Sequence, residues 1–174
     1  MNPEERNANK LRKVASLLKN DLNTTVELGT QVKEFAREVP NYNINDKNPY
    51  IYAVAVNLQH FYTSLETIFK RVAKELEGDL PSGESWYQEL LEQMFIEIED
   101  IRPPLFSNNI KKELDELRRF RHVVRHGYEY DLDWDKINPL VKTLEKIIPR
   151  IKEDIHEFNS FLLNTARQIE KDPG

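Results

Sequence analysis

The chain has 174 residues, 39% of them hydrophobic and 32% charged, and a formal net charge of -5 at pH 7, the size and composition of one compact domain with its own core. It contains no cysteine, which excludes a disulfide framework, thiolate zinc sites, iron–sulfur clusters and a cysteine nucleophile. No apolar run reaches the length needed to cross a bilayer, and the first residues, MNPEERNANKLRK, lack the apolar stretch of a secretory signal, so a cytoplasmic protein that engages no membrane is expected.

Only five glycines punctuate the chain, and between them apolar residues recur at spacings of three and four, the mark of amphipathic helices. From Leu11 the series Leu11, Val14, Leu18, Leu22, Val26, Val32, crossed by Gly29, predicts one long helix that ends before Pro40. Residues 40–49, PNYNINDKNP, read as a polar loop whose Asn48-Pro49 caps and opens the next helix. That helix turns Val54, Leu58, Phe61, Leu65, Ile68, Val72 and Leu76 inward and stops at Gly78. A third helix is expected from about Ser85 to Ile101, with Leu91, Met94, Phe95 and Ile98 inward, closed by Arg102-Pro103-Pro104. Ser107 is placed to cap a fourth helix that runs to Gly127. The last helix begins near Asp133 or at Asn138-Pro139, kinks at Pro149 and continues to about Arg167. The expected fold is all-α, an up-and-down bundle of about five helices in a single domain spanning residues 1–174.

The fourth helix ends in RRFRHVVRH, residues 118–126, which puts four arginines and two histidines into nine positions without a carboxylate. With Arg121 as origin, Arg125 falls at about 40°, Arg118 at about 60°, His122 at about 100°, His126 at about 140° and Arg119 at about 160° around the helix. These side chains share one side. Ile110, Leu114, Leu117, Phe120 and Val124 fill a separate arc, and Arg121 stands on the border between the apolar seam and the basic face. Cations in a last turn suit the helix dipole and Gly127 suits a helix end, so the pattern has a plain structural reading. A face built for solubility, however, interleaves the two signs, and like charges four residues apart oppose the helix. An anion from outside is the expected compensation, and an RNA phosphate fits. His122 and His126 have the i, i+4 spacing of a metal pair, but the carboxylate of the zinc-protease pattern is missing and Arg121 and Arg125 flank them, so no metal and no cofactor is expected. His60 and His156 are lone histidines with structural roles, and Glu97, Glu99 and Asp100 read as a solvated acidic face.

Residues 121–128, Arg-His-Val-Val-Arg-His-Gly-Tyr, read R-x4-H-x-Y, and in this the chain resembles the HEPN superfamily, above all the HepT ribonuclease toxins of prokaryotic toxin–antitoxin pairs. The DLDWDKI that follows resembles the acidic and aromatic segment after the motif in such chains. The resemblance implies a metal-independent endoribonuclease in which the ribose 2′-hydroxyl attacks the adjacent phosphate. On that reading Arg121 and His126 are the catalytic pair: an imidazole moves protons near neutral pH, and a guanidinium answers phosphate charge without losing its own. Arg118, Arg119, His122 and Arg125 would then bind the RNA. Because Arg121 and His126 diverge by about 140° on an ideal helix, their convergence needs a loosened helix near Gly127 or a second subunit. The resemblance implies a homodimer or higher homo-oligomer with paired motifs facing one cleft. It also implies an MntA-type nucleotidyltransferase antitoxin that adenylylates Tyr128, filling the basic cleft with negative charge. The alternative class is a non-catalytic HEPN-like module whose basic face binds RNA or an acidic protein partner without cleavage.

Overall fold

A computed structural model describes residues 2–42, 48–127 and 132–171. Among them are five α-helices and no named strand: α1 (Pro3–Glu38), α2 (Pro49–Val72), α3 (Trp86–Gln93), α4 (Lys111–His126) and α5 (Trp134–Lys171). The fold is the expected all-α one. No helix among the described residues is long and apolar enough to cross a membrane. The helices pack into two compact units, one made of Met1–Leu22, Thr67–Asn108 and Ile151–Gly174, the other of Asn23–Glu66 and Asn109–Arg150; α1, α2 and α5 each contribute a stretch to both.

In the first unit α1 starts at Pro3, well before Leu11. A reciprocal cap sets this start: the Glu5 N–H donates to Asn2 Oδ1 at 2.7 Å and the Asn2 N–H donates to the Glu5 carboxylate at 3.1 Å. The opening turns bury only Ala8 before Val14, so apolar spacing could not reveal them. α2 ends through a π-helical turn, Ala73–Glu77, and Gly78 takes the left-handed conformation (φ 84°) with its N–H on the Ala73 carbonyl at 3.0 Å. That stop is the expected one.

The third helix departs from expectation: it ends at Gln93, not Ile101, because the chain then wraps around Arg102. This guanidinium is buried, and it donates to Glu77 at 2.7 Å, to the carbonyls of Ile96 and Pro103 at 3.1 Å each, and to the Gln93 carbonyl at 3.0 Å. Ile98 and Arg102 exchange both backbone bonds around a turn in which Asp100 has φ 60°, and the Met94 carbonyl accepts from the N–H groups of Leu105 and Phe106. Met94 and Phe95 still point inward, and the Phe106 ring packs between those of Phe69 (5.7 Å) and Phe95 (5.8 Å). Ser107 stands ahead of a 3-10 turn, Asn108–Ile110, and both its N–H and its hydroxyl donate to Asp154, at 3.0 and 2.9 Å. α4 therefore begins at Lys111, after Ile110, which offers no side-chain cap.

In the second unit α1 and α2 run antiparallel. The Asn48 amide closes their connection on the Val39 carbonyl (2.9 Å), and farther along Ser64 donates to the Thr25 hydroxyl (2.8 Å). Gly29 has a specific reason to be glycine: a Cβ there would lie 2.5 Å from the Ile148 methyl and 3.4 Å from the Phe61 ring, so its absence lets three helices approach. α5 opens at Trp134, where Asp133 accepts the Asp135 N–H at 2.9 Å. Asn138-Pro139 falls inside this helix, as does Pro149, and the helix continues past Arg167 to Lys171.

Candidate functional site

α4 buries Leu114, Leu117 and Phe120 in the second unit, and this seam fixes where the next side chains go. Arg121 follows the seam inward. It is 7% exposed; its Nε donates to the Thr63 hydroxyl at 3.0 Å, and its Nη2 lies 3.0 Å from the buried Glu66 carboxylate. Tyr62, one helical turn before Glu66 on α2, is fully buried, and burial pushes its phenol well above the ordinary tyrosine range, with the negative charge of Glu66 adding to the effect. The border position derived from the helical wheel thus resolves to its inner side.

Arg118 and Arg119 find their anion within the helix. Arg118 Nε contacts Asp115 at 2.8 Å and Arg119 Nε contacts the other oxygen of that carboxylate at 3.1 Å. For these two arginines the compensating anion is internal and not, as expected, from outside. The i, i+3 and i, i+4 spacings from Asp115 were there to be read.

The rest of the motif faces water. His122 and His126 are exposed, their ring centroids 4.6 Å apart and their planes tilted at 46°; Arg125 is also exposed, and Val123 is 41% exposed. Among the described residues no group of three or more His, Asp or Glu side chains comes together as metal ligands. α4 stays regular to its end: the Gly127 N–H bonds the Val123 carbonyl at 2.8 Å, and Gly127 is extended (φ -93°, ψ 101°) instead of left-handed. Arg121 therefore points to α2 while His126 lies against His122, and the two do not converge within the chain. Tyr128 lies outside the described residues.

Glu66, Thr63 and Tyr62, which hold or surround Arg121, were not singled out from the sequence. One signal was available. Tyr62, Glu66 and Phe69 follow the i, i+4, i+7 rhythm of a buried stripe, and a carboxylate on such a stripe requires a partner.

An all-α chain that carries R-x4-H at the end of a helix agrees with the resemblance to HEPN-type modules. The chain matches HepT-like proteins over residues 53–162 and belongs to the HepT-like family of that superfamily. The matched stretch includes all of α4 together with Thr63 and Glu66. No curated protein and no solved structure matches the chain.

Proposed function

We propose that the protein is a metal-independent endoribonuclease of the toxin type. The observation that supports this reading is the intact R-x4-H motif within the family match, with His126 exposed at the end of α4. His126 accepts the proton of a ribose 2′-hydroxyl as that oxygen attacks the adjacent phosphorus; the P–O5′ bond breaks, a cyclic phosphate forms, and the departing 5′ oxygen takes a proton from the imidazolium or solvent. Arg121 is the cation for the phosphate, acting from the seat that Glu66 and Thr63 provide, so the phosphate must displace Glu66 from Nη2 or be stabilised at a distance. His122, Arg125 and, more weakly, the Asp115-paired Arg118 and Arg119 hold the RNA strand. The same reading includes a homodimer or higher homo-oligomer that pairs two motifs, and an MntA-type nucleotidyltransferase antitoxin that silences the cytoplasmic toxin by adenylylating Tyr128.

The burial of Arg121 against Glu66 favours a second reading, in which the arginine serves the fold and α4 presents His122, Arg125 and His126 as the face of a non-catalytic RNA-binding module. Incubating purified protein with single-stranded RNA in EDTA separates the two. Cleavage that falls by about 10²–10⁴-fold in His126→Ala, without a change in melting temperature, is expected from the ribonuclease. RNA that is bound but left uncut by the wild type selects the module. Co-expression with a nucleotidyltransferase, followed by intact-mass measurement, tests the switch: adenylyl additions on the wild type must be absent from Tyr128→Phe.

A further inference from the structure

A groove of about 410 Å³ lies in the second unit beside the motif, between α2 and the end of α4. Tyr52, Ala55, Val56 and Gln59 line it from one i, i+3, i+4, i+7 stripe of α2, and Val124, Arg125, Gly127 and Leu132 line it from the other side. Its volume falls in the range of small-ligand sites. Ala55 gives a buried floor, and Tyr52, at the lip, leaves 65% of its surface in water. Val56 and Gln59 are half-buried along the same stripe.

The chemistry of the lining narrows the occupant. Among the described residues the lining offers an aromatic face, aliphatic side chains, one primary amide and one guanidinium, and no carboxylate. An amide presents a donor and an acceptor side by side, which suits the edge of a nucleobase. An exposed tyrosine suits the base's face, since single-stranded RNA is recognised largely by stacking splayed bases on aromatic side chains. Position supports the same occupant. On α4 Val124 faces the groove, Arg125 follows by about 100°, and His126 by about 100° more, so Arg125 stands between the groove and the imidazole pair. A strand with a base in the groove would bring its next phosphate to Arg125 and the following sugar towards His126.

We propose that this groove is a subsite for one unpaired nucleobase of single-stranded RNA, stacked on Tyr52 and met at its edge by Gln59, while Arg125 holds the adjoining phosphate. The proposal deepens the ribonuclease reading, on which it rests for its ligand, and makes the groove the part of the protein that selects where a strand is cut.

The test measures binding apart from cleavage. Fluorescein-labelled oligoadenylate is titrated by fluorescence anisotropy against His126→Ala protein, which leaves the strand intact, and against the same protein carrying Tyr52→Ala, Tyr52→Phe or Gln59→Ala. An abasic ribose-phosphate chain of equal length serves as the control. Tyr52→Ala is expected to weaken oligoadenylate binding by about tenfold or more, and Tyr52→Phe to retain it. The abasic chain should bind weakly and be indifferent to residue 52. Because Tyr52 is exposed, the melting temperature should not move. Oligoadenylate binding that is unaffected by Tyr52→Ala, or a loss of equal size for the abasic chain, overturns the proposal. A change in mass by light scattering on Tyr52→Ala, with RNA affinity unchanged, also overturns it and makes the groove an interface between copies. The two readings fail separately: a wild type that cuts no RNA while the Tyr52 dependence persists removes the ribonuclease and leaves the base subsite, whereas a wild type that cuts but ignores residue 52 removes the subsite alone.

Discussion

Each compact unit buries one arginine against a glutamate, and the two arginines are held differently. In the first unit Arg102 bonds three carbonyls of its own neighbourhood as well as Glu77. In the second, Arg121 meets two side chains of α2, the Glu66 carboxylate and the Thr63 hydroxyl. Carbonyls cannot leave without unfolding the segment they belong to, whereas side chains can change rotamer and a phosphate oxygen can stand where a carboxylate oxygen stood. The first arrangement suits a post around which the chain folds. The second suits a cation that is stored near a surface and can be used there.

Removing the post should give the largest effect. Arg102→Ala leaves Glu77 without its cation and strips the bonds from the carbonyls of Gln93, Ile96 and Pro103, and breaking a buried pair on one side costs about 3–5 kcal/mol. The urea midpoint should fall accordingly. Arg102→Lys should restore little, because an ammonium cannot copy a planar fork directed at several acceptors. A lysine variant as stable as the wild type would show that charge alone, not the shape of the fork, holds residues 94–107.

Glu66→Gln tests the other half of the contrast. It preserves shape and removes the charge facing Arg121, so stability should drop by about 1–3 kcal/mol. If Arg121 serves RNA, losing its internal anion should also tighten RNA binding, and the salt dependence should steepen by up to about one phosphate contact, a slope change of about -0.9. A lower melting temperature with unchanged affinity and salt slope would class Arg121 with Arg102 as a post.

The contrast also shows what the sequence makes visible. Periodicity alone marked the buried face of α2 through Val54, Leu58, Phe61, Leu65, Ile68 and Val72, and the local signals Asn48, Gly78 and Asp133 set boundaries where expected. It misled at Met94 to Ile101, where apolar residues keep a helical rhythm although the segment is not helical. What ends the helix there is Arg102 together with Glu77, 25 positions away, a pairing that no local window contains. The same holds at the site. R-x4-H and its place at the end of α4 were legible, but the inward turn of Arg121 depends on Glu66 and on Thr63, 58 positions earlier. Asp115 is the exception, being a local partner that was in reach.

Tyr62 supplies a probe of the seat beneath Arg121. Its phenol is held neutral by burial and by Glu66, so the folded state keeps a proton that the unfolded chain releases near pH 10. A raised value means stability that is complete below about pH 10 and lost as the pH climbs beyond it, at up to about 1.4 kcal/mol per pH unit. Tyr62→Phe should flatten this alkaline loss while leaving neutral-pH stability nearly unchanged. An alkaline slope identical in both proteins would mean that other groups carry it.

The smallest effects belong to pairs at the surface, and they sharpen the contrast by responding to conditions that buried pairs resist. Such a pair joins two helices in each unit: Arg12 grips both oxygens of Glu170 at 2.6 Å in the first, and Lys146 reaches Glu113 at 2.8 Å in the second. The cations hold both carboxyls below the usual glutamate range, through the hydrogen bond first and charge second, and Glu113 raises Lys146 in return. A lowered carboxyl value contributes stability that is present above about pH 4.3 and lost as the pH falls through the lowered value. The raised lysine value adds stability that is present below about pH 10.4 and lost above it. At pH 7 both pairs are fully formed, so Glu170→Gln and Glu113→Gln should each lower the melting temperature slightly at low salt. The Glu170 variant should be the more affected, because its partner binds in two places where the lysine binds in one. In about 1 M salt, where the screening length is about 3 Å, both differences should vanish, and they should also vanish once acid has protonated the wild-type carboxylates. Arg102→Ala should keep most of its deficit in salt, since the guanidinium is fully buried and Glu77 nearly so. A surface variant whose deficit survived molar salt would have lost packing, not charge, and the separation of buried from exposed pairs would then fail at that position.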